Sequence, residues 1–344
     1  MKLKILLSIA TVLFGVFVQT ASAIEPTILK ATIAFRMKPH REKPAWAWTP
    51  TIAFRIHGDI SSSIVSVEYT MPDGKKWVQA NCEMQDPEEN FYVTNDCGRD
   101  VESTQAITQT GTFGFQIRVS SELVGTNKVL FSGKVKVAKM LYNPSGGAQF
   151  NQQFYFYPES DWRLPIAYVY PKADGSGYHE ILAVTMWFKG TETPIENLSA
   201  HLFYQGKEIA NTKKYGSISN SMFKEGPLET SPNEYHKRVI SFSSTLVSAE
   251  NPEGFAEGFF KLWENPGEYE LKILHNGKLS RVVKFSIGKD GKPVSNGIAE
   301  QNNVKLVGLI VPVQFISDQE GIWNKQAWKT EAYFGNPLTG FNVP

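Results

Sequence analysis

Cysteine and charge are both sparse in this 344-residue chain. There are two cysteines, too few for a disulfide-dense mini-fold and without the C-x-x-C spacing of a redox pair or zinc site. Charged residues make up 20%, and 35 Lys plus Arg against 34 Asp plus Glu leave a net charge of +1. So even a balance argues against nucleic acid or an anionic membrane as the main partner. Beyond residue 23 no apolar run approaches the roughly 20 residues that a membrane helix needs, so no transmembrane segment is expected. The chain has no G-x-S-x-G elbow, phosphate loop or dinucleotide fingerprint. Its histidines show no H-E-x-x-H or H-x-H spacing, and the clusters at Asp86-Pro87-Glu88-Glu89 and Asp174-Gly175-Ser176-Gly177 lack the EF-hand ligand series. Carboxylate pairs such as Glu253 and Glu257 are what any acid-bearing chain supplies by chance. The expectation is therefore a protein that is not an enzyme, with no catalytic residues, no metal and no cofactor.

What is present is aromatic and β-prone. The 22 Phe, 13 Tyr and 8 Trp are ample for a core and too many for a disordered chain. Lys2 and Lys4 precede an apolar run that ends in Ala21-Ser22-Ala23, the pattern of a secretory signal over residues 1–23. Export implies a periplasmic, cell-surface or secreted protein. In such a compartment Cys82 and Cys97 are expected to form a disulfide, whose loop of about 15 residues stabilises by about 3 kcal/mol in the chain-entropy view.

Hydrophobic periodicity is two. Ile52, Phe54 and Ile56 alternate with Ala53 and Arg55, and Phe113, Phe115, Ile117 and Val119 alternate with smaller or polar residues, which predicts strands with one buried face. The pattern also repeats. Phe54, Ile56 and Gly58 match Met186, Phe188 and Gly190 at an offset of 132, as do Gly74 and Gly206. Gly111, Phe113, Phe115 and Ile117 match Gly267, Tyr269, Leu271 and Ile273 at an offset of 156. Two β-units follow, at 24–142 and 153–288, joined by a linker at 143–152 that contains Asn143-Pro144-Ser145-Gly146-Gly147.

Asn265-Pro266-Gly267-Glu268-Tyr269-Glu270-Leu271 resembles the entry into strand F of immunoglobulin-like sandwiches, where the Tyr hydroxyl bonds back across a corner. The resemblance is to the broad bacterial group of such domains. It implies an all-β protein of two tandem immunoglobulin-like sandwiches and assigns no activity. The first copy departs from the motif, with Phe113 where the corner Tyr would stand.

After a second linker, 289–303, comes a β-prone segment, 304–344. Its alternating Leu306, Val307, Leu309, Val311, Val313 and Phe315 suit a strand added to a sheet of the second unit or of a neighbouring subunit. Trp323, Trp328, Tyr333, Phe334 and Phe341 follow, too few residues for a core of their own. The reading is an exported structural or interaction protein of a cell-surface or extracellular assembly. A protein partner or self-association through this strand is expected. The alternative is a carbohydrate-binding protein using Trp46, Trp48 and Trp77 as flat stacking faces.

Overall fold

The computed structural model describes residues 24–41, 46–85, 91–121, 126–141, 154–170, 180–190, 195–213, 216–225, 235–243, 264–304, 308–317 and 321–344. The signal read at 1–23, the linker sequence 143–147, the clusters at 86–89 and 174–177, His179, Glu253, Glu257, Leu306 and Val307 lie outside them.

The chain is predominantly β and sandwich-like. Its first strands are β1 (Thr27–Ile28), β2 (Ala34–His40), β3 (Ala47–His57), β4 (Ile64–Thr70), β5 (Lys76–Asn81), β6 (Phe91–Cys97), β7 (Gly111–Ser121), β8 (Thr126–Leu141) and β9 (Phe154–Pro158). The second set is β10 (Ile166–Tyr170), β11 (Glu180–Lys189), β12 (Leu198–Tyr204), β13 (Lys207–Asn211), β14 (Gly216–Glu225), β15 (Tyr235–Ser243), β16 (Gly267–His275), β17 (Lys278–Ile287) and β18 (Leu309–Phe315).

Antiparallel pairing joins β5-β4-β7-β8-β9 in one sheet, and β1-β3-β2 with β6 on β3 in another. The remaining strands form one nine-stranded sheet, β13-β12-β16-β17-β18-β10-β11-β15-β14, which curls until β13 lies near β15 and β12 near β14. One strand order therefore occurs twice. β13-β12-β16-β17 reproduces β5-β4-β7-β8, and β18 occupies beside β17 the place that β9 occupies beside β8. β9 in turn lies against β2, as β18 pairs with β10.

Side chains explain the paired strands. β7 and β16 both open on a glycine in the left-handed region, Gly111 at φ 130° and Gly267 at φ 139°, where a Cβ would be strained. Each then buries every second residue: Phe113, Phe115, Ile117 and Val119 in β7, and Tyr269, Leu271 and Ile273 in β16. The Tyr269 hydroxyl donates to the Asn265 carbonyl oxygen at 2.6 Å, the bond that the strand F resemblance implies. Cys82 and Cys97 form a disulfide that ties the end of β5 to β6.

Three expectations are corrected. β3 is buried on both faces, because Ala47, Thr49, Thr51 and Ala53 on its second face are small enough for neighbouring chain to cover them. β9, read as the start of the second unit, pairs with β8 in the first. The region taken as a second linker holds a helical turn, α1 (Ile298–Gln301), whose Ile298 and Ala299 belong to the first core.

The C-terminal segment serves both units. Leu309, Val311 and Val313 enter the core of the nine-stranded sheet. Residues 309–312 pair with β10 and residues 313–315 with β17, so each part of the strand is paired within the chain. Beyond it, Trp328, Tyr333, Phe334, Leu338 and Phe341 pack into the core of the first unit, and the Asn336 amide donates to the Ser132 carbonyl oxygen at 2.9 Å. The segment had been expected on the second unit or on a neighbouring subunit. Its aromatic residues find the first core because β7 and β8 leave Phe115 exposed to them; Phe334 meets that ring edge-on at 5.7 Å.

Candidate functional site

The tryptophans expected to present a sugar platform do not do so. Trp46 and Trp48 are 5% and 1% exposed. Trp48 is enclosed by Trp77, Phe113 and Phe156, and its indole N–H donates to the Gln109 carbonyl oxygen at 3.1 Å. Trp77 is half-buried and bonded to the Gln105 carbonyl oxygen. Indoles with both a ring partner and a satisfied N–H act as core residues.

One polar constellation has the outline of a hydrolytic triad. His201 Nε2 lies 3.2 Å from Ser199 Oγ, and His201 Nδ1 lies 3.1 Å from Glu208 Oε1. Acyl transfer also needs N–H donors aimed at a developing oxyanion. Here β12 is paired by β13 and β16, the Ala200 amide is taken by Thr212 Oγ1, and Ser199 is 6% exposed. The cluster, with Asn211 donating to Glu208 Oε1 at 2.7 Å, clamps the β12–β13 hairpin. Among the described residues no group of three His, Cys, Asp or Glu is placed to hold a metal ion.

A cavity of about 290 Å³ lies where the two units and the C-terminal segment meet. The turn Lys30–Thr32 and the adjoining end of β2 form one wall, β3 contributes Phe54 and Arg55, and β6 contributes Thr94 and Asn95. The second unit supplies Tyr168 from β10, Trp187 from β11 and Lys237 from β15, and the C-terminal segment closes the site with Tyr333 and Phe334.

Its charge is one-sided. Lys30, Arg55, Arg163 and Lys237 line it, with no Asp or Glu among the described lining residues, in a chain whose acids and bases nearly balance. Arg163 is 5% exposed, its guanidinium 4.6 to 5.1 Å from the ring centres of Trp187, Trp162 and Phe334. Such cation–π contacts are worth about 0.5–2 kcal/mol each, and the guanidinium also donates to the Ile33 carbonyl oxygen at 3.4 Å. Lys30 Nζ donates to the Asn302 carbonyl oxygen at 2.7 Å, and burial lowers its pKa. The Tyr168 and Tyr333 hydroxyls meet at 2.5 Å, and burial raises both phenol pKa values.

The backbone at the closing wall is strained. Tyr333 and Phe334 have φ of 45° and 58°, a left-handed conformation that costs about 1–2 kcal/mol per non-glycine residue. Strain of this kind persists where surrounding structure over-determines it, and it gathers at ligand clamps. Here it turns both rings inward, one beside Tyr168 and the other beside Phe115 and Trp162.

Next to the cavity, Asp161 anchors the segment. Its Oδ1 accepts from Lys189 Nζ at 2.7 Å and from the Tyr235 hydroxyl at 2.5 Å, and its Oδ2 accepts from the Asn324 amide at 2.7 Å. Lys189 Nζ also donates to the Ile322 carbonyl oxygen. With the two charged side chains 13% and 8% exposed, Asp161→Asn leaves a nearly buried ammonium without its counter-charge. We expect a loss of about 3–5 kcal/mol by urea denaturation, with much of it recovered in Asp161→Asn/Lys189→Met. An Asp161→Asn protein as stable as the parent would remove the anchor role.

No protein-family model matches the chain, and no curated protein does. Among solved structures it is similar to S. aureus TarS 217-571, at 11% identity and a TM-score of 0.22, over 69% of this chain and 62% of that one. It is also similar to the BSP domain of a biofilm associated protein, at 7% identity and a TM-score of 0.15, over 88% of this chain and 61% of that one. The chain thus spans less than two thirds of either structure, and overlaps this slight carry no argument about fold or activity. The expectation that the chain is not an enzyme, drawn only from missing motifs, is not retained.

Sequence reasoning missed the cavity and the Asp161 anchor. Their residues run from Lys30 to Phe334, and no local spacing links them. The usable signals were the adjacent Trp162-Arg163 and the concentration of aromatic residues in the final segment.

Proposed function

We propose that this is an exported interaction protein of the cell surface or extracellular space, built from two immunoglobulin-like units that the C-terminal segment locks together, and that it binds its ligand at their junction. The cavity carries the reading. It combines apolar walls with a few convergent polar groups, the common form of a small-molecule site, and its lining draws on both units and the segment. The Tyr269 hydroxyl bond to Asn265 supports the immunoglobulin-like assignment, and the Cys82–Cys97 disulfide suits an oxidising compartment. Self-association through β18 is not retained, since residues 309–312 pair with β10, residues 313–315 pair with β17, and Leu309, Val311 and Val313 lie in the core of the same chain.

Thermal-shift screening of residues 24–344 against small acids and oligosaccharides tests this. A ligand at 100 times its Kd adds about 2.7 kcal/mol, which raises Tm by several degrees in units of this size. The shift should shrink in the double variant Arg55→Glu/Lys237→Glu. Equal shifts in parent and variant would place binding elsewhere, and a screen with no hit would remove the reading.

A further inference from the structure

We infer that the C-terminal segment is a pH-sensitive clasp: the Glu331 carboxyl, which competes with Glu159 for one lysine of β8, docks the segment on the first unit more firmly when protonated than when ionised. Glu331 immediately precedes the strained turn that carries Tyr333 and Phe334, so its docking sets the closing wall of the junction cavity. The clasp stands on the docking interface alone, and only its consequence for a ligand rests on the reading of that cavity as a binding site.

The interface is short of positive charge. The Glu331 amide donates to the Ala327 carbonyl oxygen at 2.7 Å and its carbonyl oxygen accepts from the Gly335 amide at 3.0 Å, bonds that hold its backbone in the turn lying against β8. There Glu331 Oε1 lies 4.0 Å from Lys136 Nζ, whereas Glu159 Oε2 holds the same ammonium at 2.5 Å. A hollow of about 110 Å³ lies among these groups, with Val135, Trp162 and Phe334 as apolar walls and the exposed Lys134 also in its lining. Asp161 brings a third carboxylate, already engaged by Lys189 and Tyr235. On the segment itself, Lys329 lies over the Trp328 ring at 5.3 Å. Among the described residues Lys136 is therefore the one ion-pair partner of Glu331, and it is shared.

Burial is the largest influence on Glu331 and, with the Glu159 and Asp161 charges, raises its pKa above the usual 4.5 against the pull of Lys136. The folded chain then holds this proton more tightly than the unfolded segment does. Docking is fully supported below pH 4.5 and loses that contribution as pH rises through the folded value. An ordinary ion pair would act in the opposite sense, strengthening as the carboxyl ionises; the 4.0 Å separation and the closer hold of Glu159 set Glu331 apart from that case. A packed element biased by one protonation is the general form of such a switch.

Amide hydrogen exchange of residues 24–344 tests the clasp, with protection read over residues 327–341 at pH 4 and pH 7. The readout is the protection of Glu331→Gln, a neutral mimic of the protonated side chain, divided by that of the parent at the same pH, which cancels the intrinsic pH dependence of exchange. This ratio should be at least threefold larger at pH 7 than at pH 4. In a Glu159→Gln background, where Lys136 is free for Glu331, the rise should fall below twofold. A ratio equal at the two pH values would mean packing without titration, and a ratio that falls towards pH 7 would mean an ordinary ion pair; either overturns the clasp. A threefold rise that survives Glu159→Gln would overturn the competition for Lys136. No ligand enters these measurements, so a blank ligand screen, which removes the binding reading, leaves them unchanged.

Discussion

A chain that stops at Gln301 is expected to lose cooperative folding in both units. The truncation takes β18 from between β17 and β10, and with it Leu309, Val311 and Val313 from the core of the nine-stranded sheet. It also takes Trp328, Tyr333, Phe334, Leu338 and Phe341 from the core of the first unit. At about 1.5–3 kcal/mol for each large buried side chain, this exceeds the 5–15 kcal/mol by which most domains are stable. A chain stopping at Ser317 separates the two effects. It keeps β18, so the nine-stranded sheet should persist, while the first unit and the cavity open and Tm falls. Circular dichroism melts and limited proteolysis report both. A Gln301 truncation that melts within a few degrees of the parent would show that neither core depends on the segment.

The same residues show what could and could not be read before folding. Period-two alternation located β7 and, through the match at offset 156, β16, because strands with one buried face write their geometry directly into sequence. The offset of 132 carried further than its few identities suggest. It takes Ala34 to Ile166, the first residues of β2 and β10, and Gly58 to Gly190, both at positive φ. Trp46 and Trp48 misled because alternation says which residues share a face and nothing about what covers it. Two faces of β3 are covered here. Arg281 is the sharper case. It is fully buried in β17, between Ser280 and Val282 that are buried too, its guanidinium over Phe188 at 4.0 Å and Phe315 at 4.8 Å, with Nη1 donating to the Trp187 carbonyl oxygen at 2.7 Å. A charge at an interior position is tolerated only when distant residues satisfy it, and β11, β17 and β18 meet only in the folded chain. The cavity is of the same kind, since its lining is assembled from residues between Lys30 and Phe334 that meet only in the folded chain.

Raising the pH above 10 should unfold the protein cooperatively. Tyr69, Tyr235 and Tyr333 are 0%, 1% and 2% exposed. Burial pushes each phenol well above its usual pKa of 10, with the nearby Asp161 carboxylate adding to the effect on Tyr235 and the Tyr168 hydroxyl to that on Tyr333. The unfolded chain can release these protons above pH 10 while the folded chain holds them. The unfolded state then binds fewer protons, so stability falls as pH rises; below pH 10 the contribution is fully present. Each tyrosine removes about 1.4 kcal/mol per pH unit, and three together remove roughly 8 kcal/mol by pH 12, comparable with the whole stability of a domain. Absorbance of tyrosinate should therefore rise in two stages, the exposed residues near pH 10 and the buried ones together with the loss of circular dichroism. Tyr69→Phe sharpens the test. Its hydroxyl has no hydrogen-bond partner among the described residues, so removing it relieves the burial of an unsatisfied polar group, worth about 1–3 kcal/mol. It should raise both the neutral-pH stability and the alkaline midpoint. A single tyrosine transition near pH 10 with the fold intact would mean that these phenols meet water.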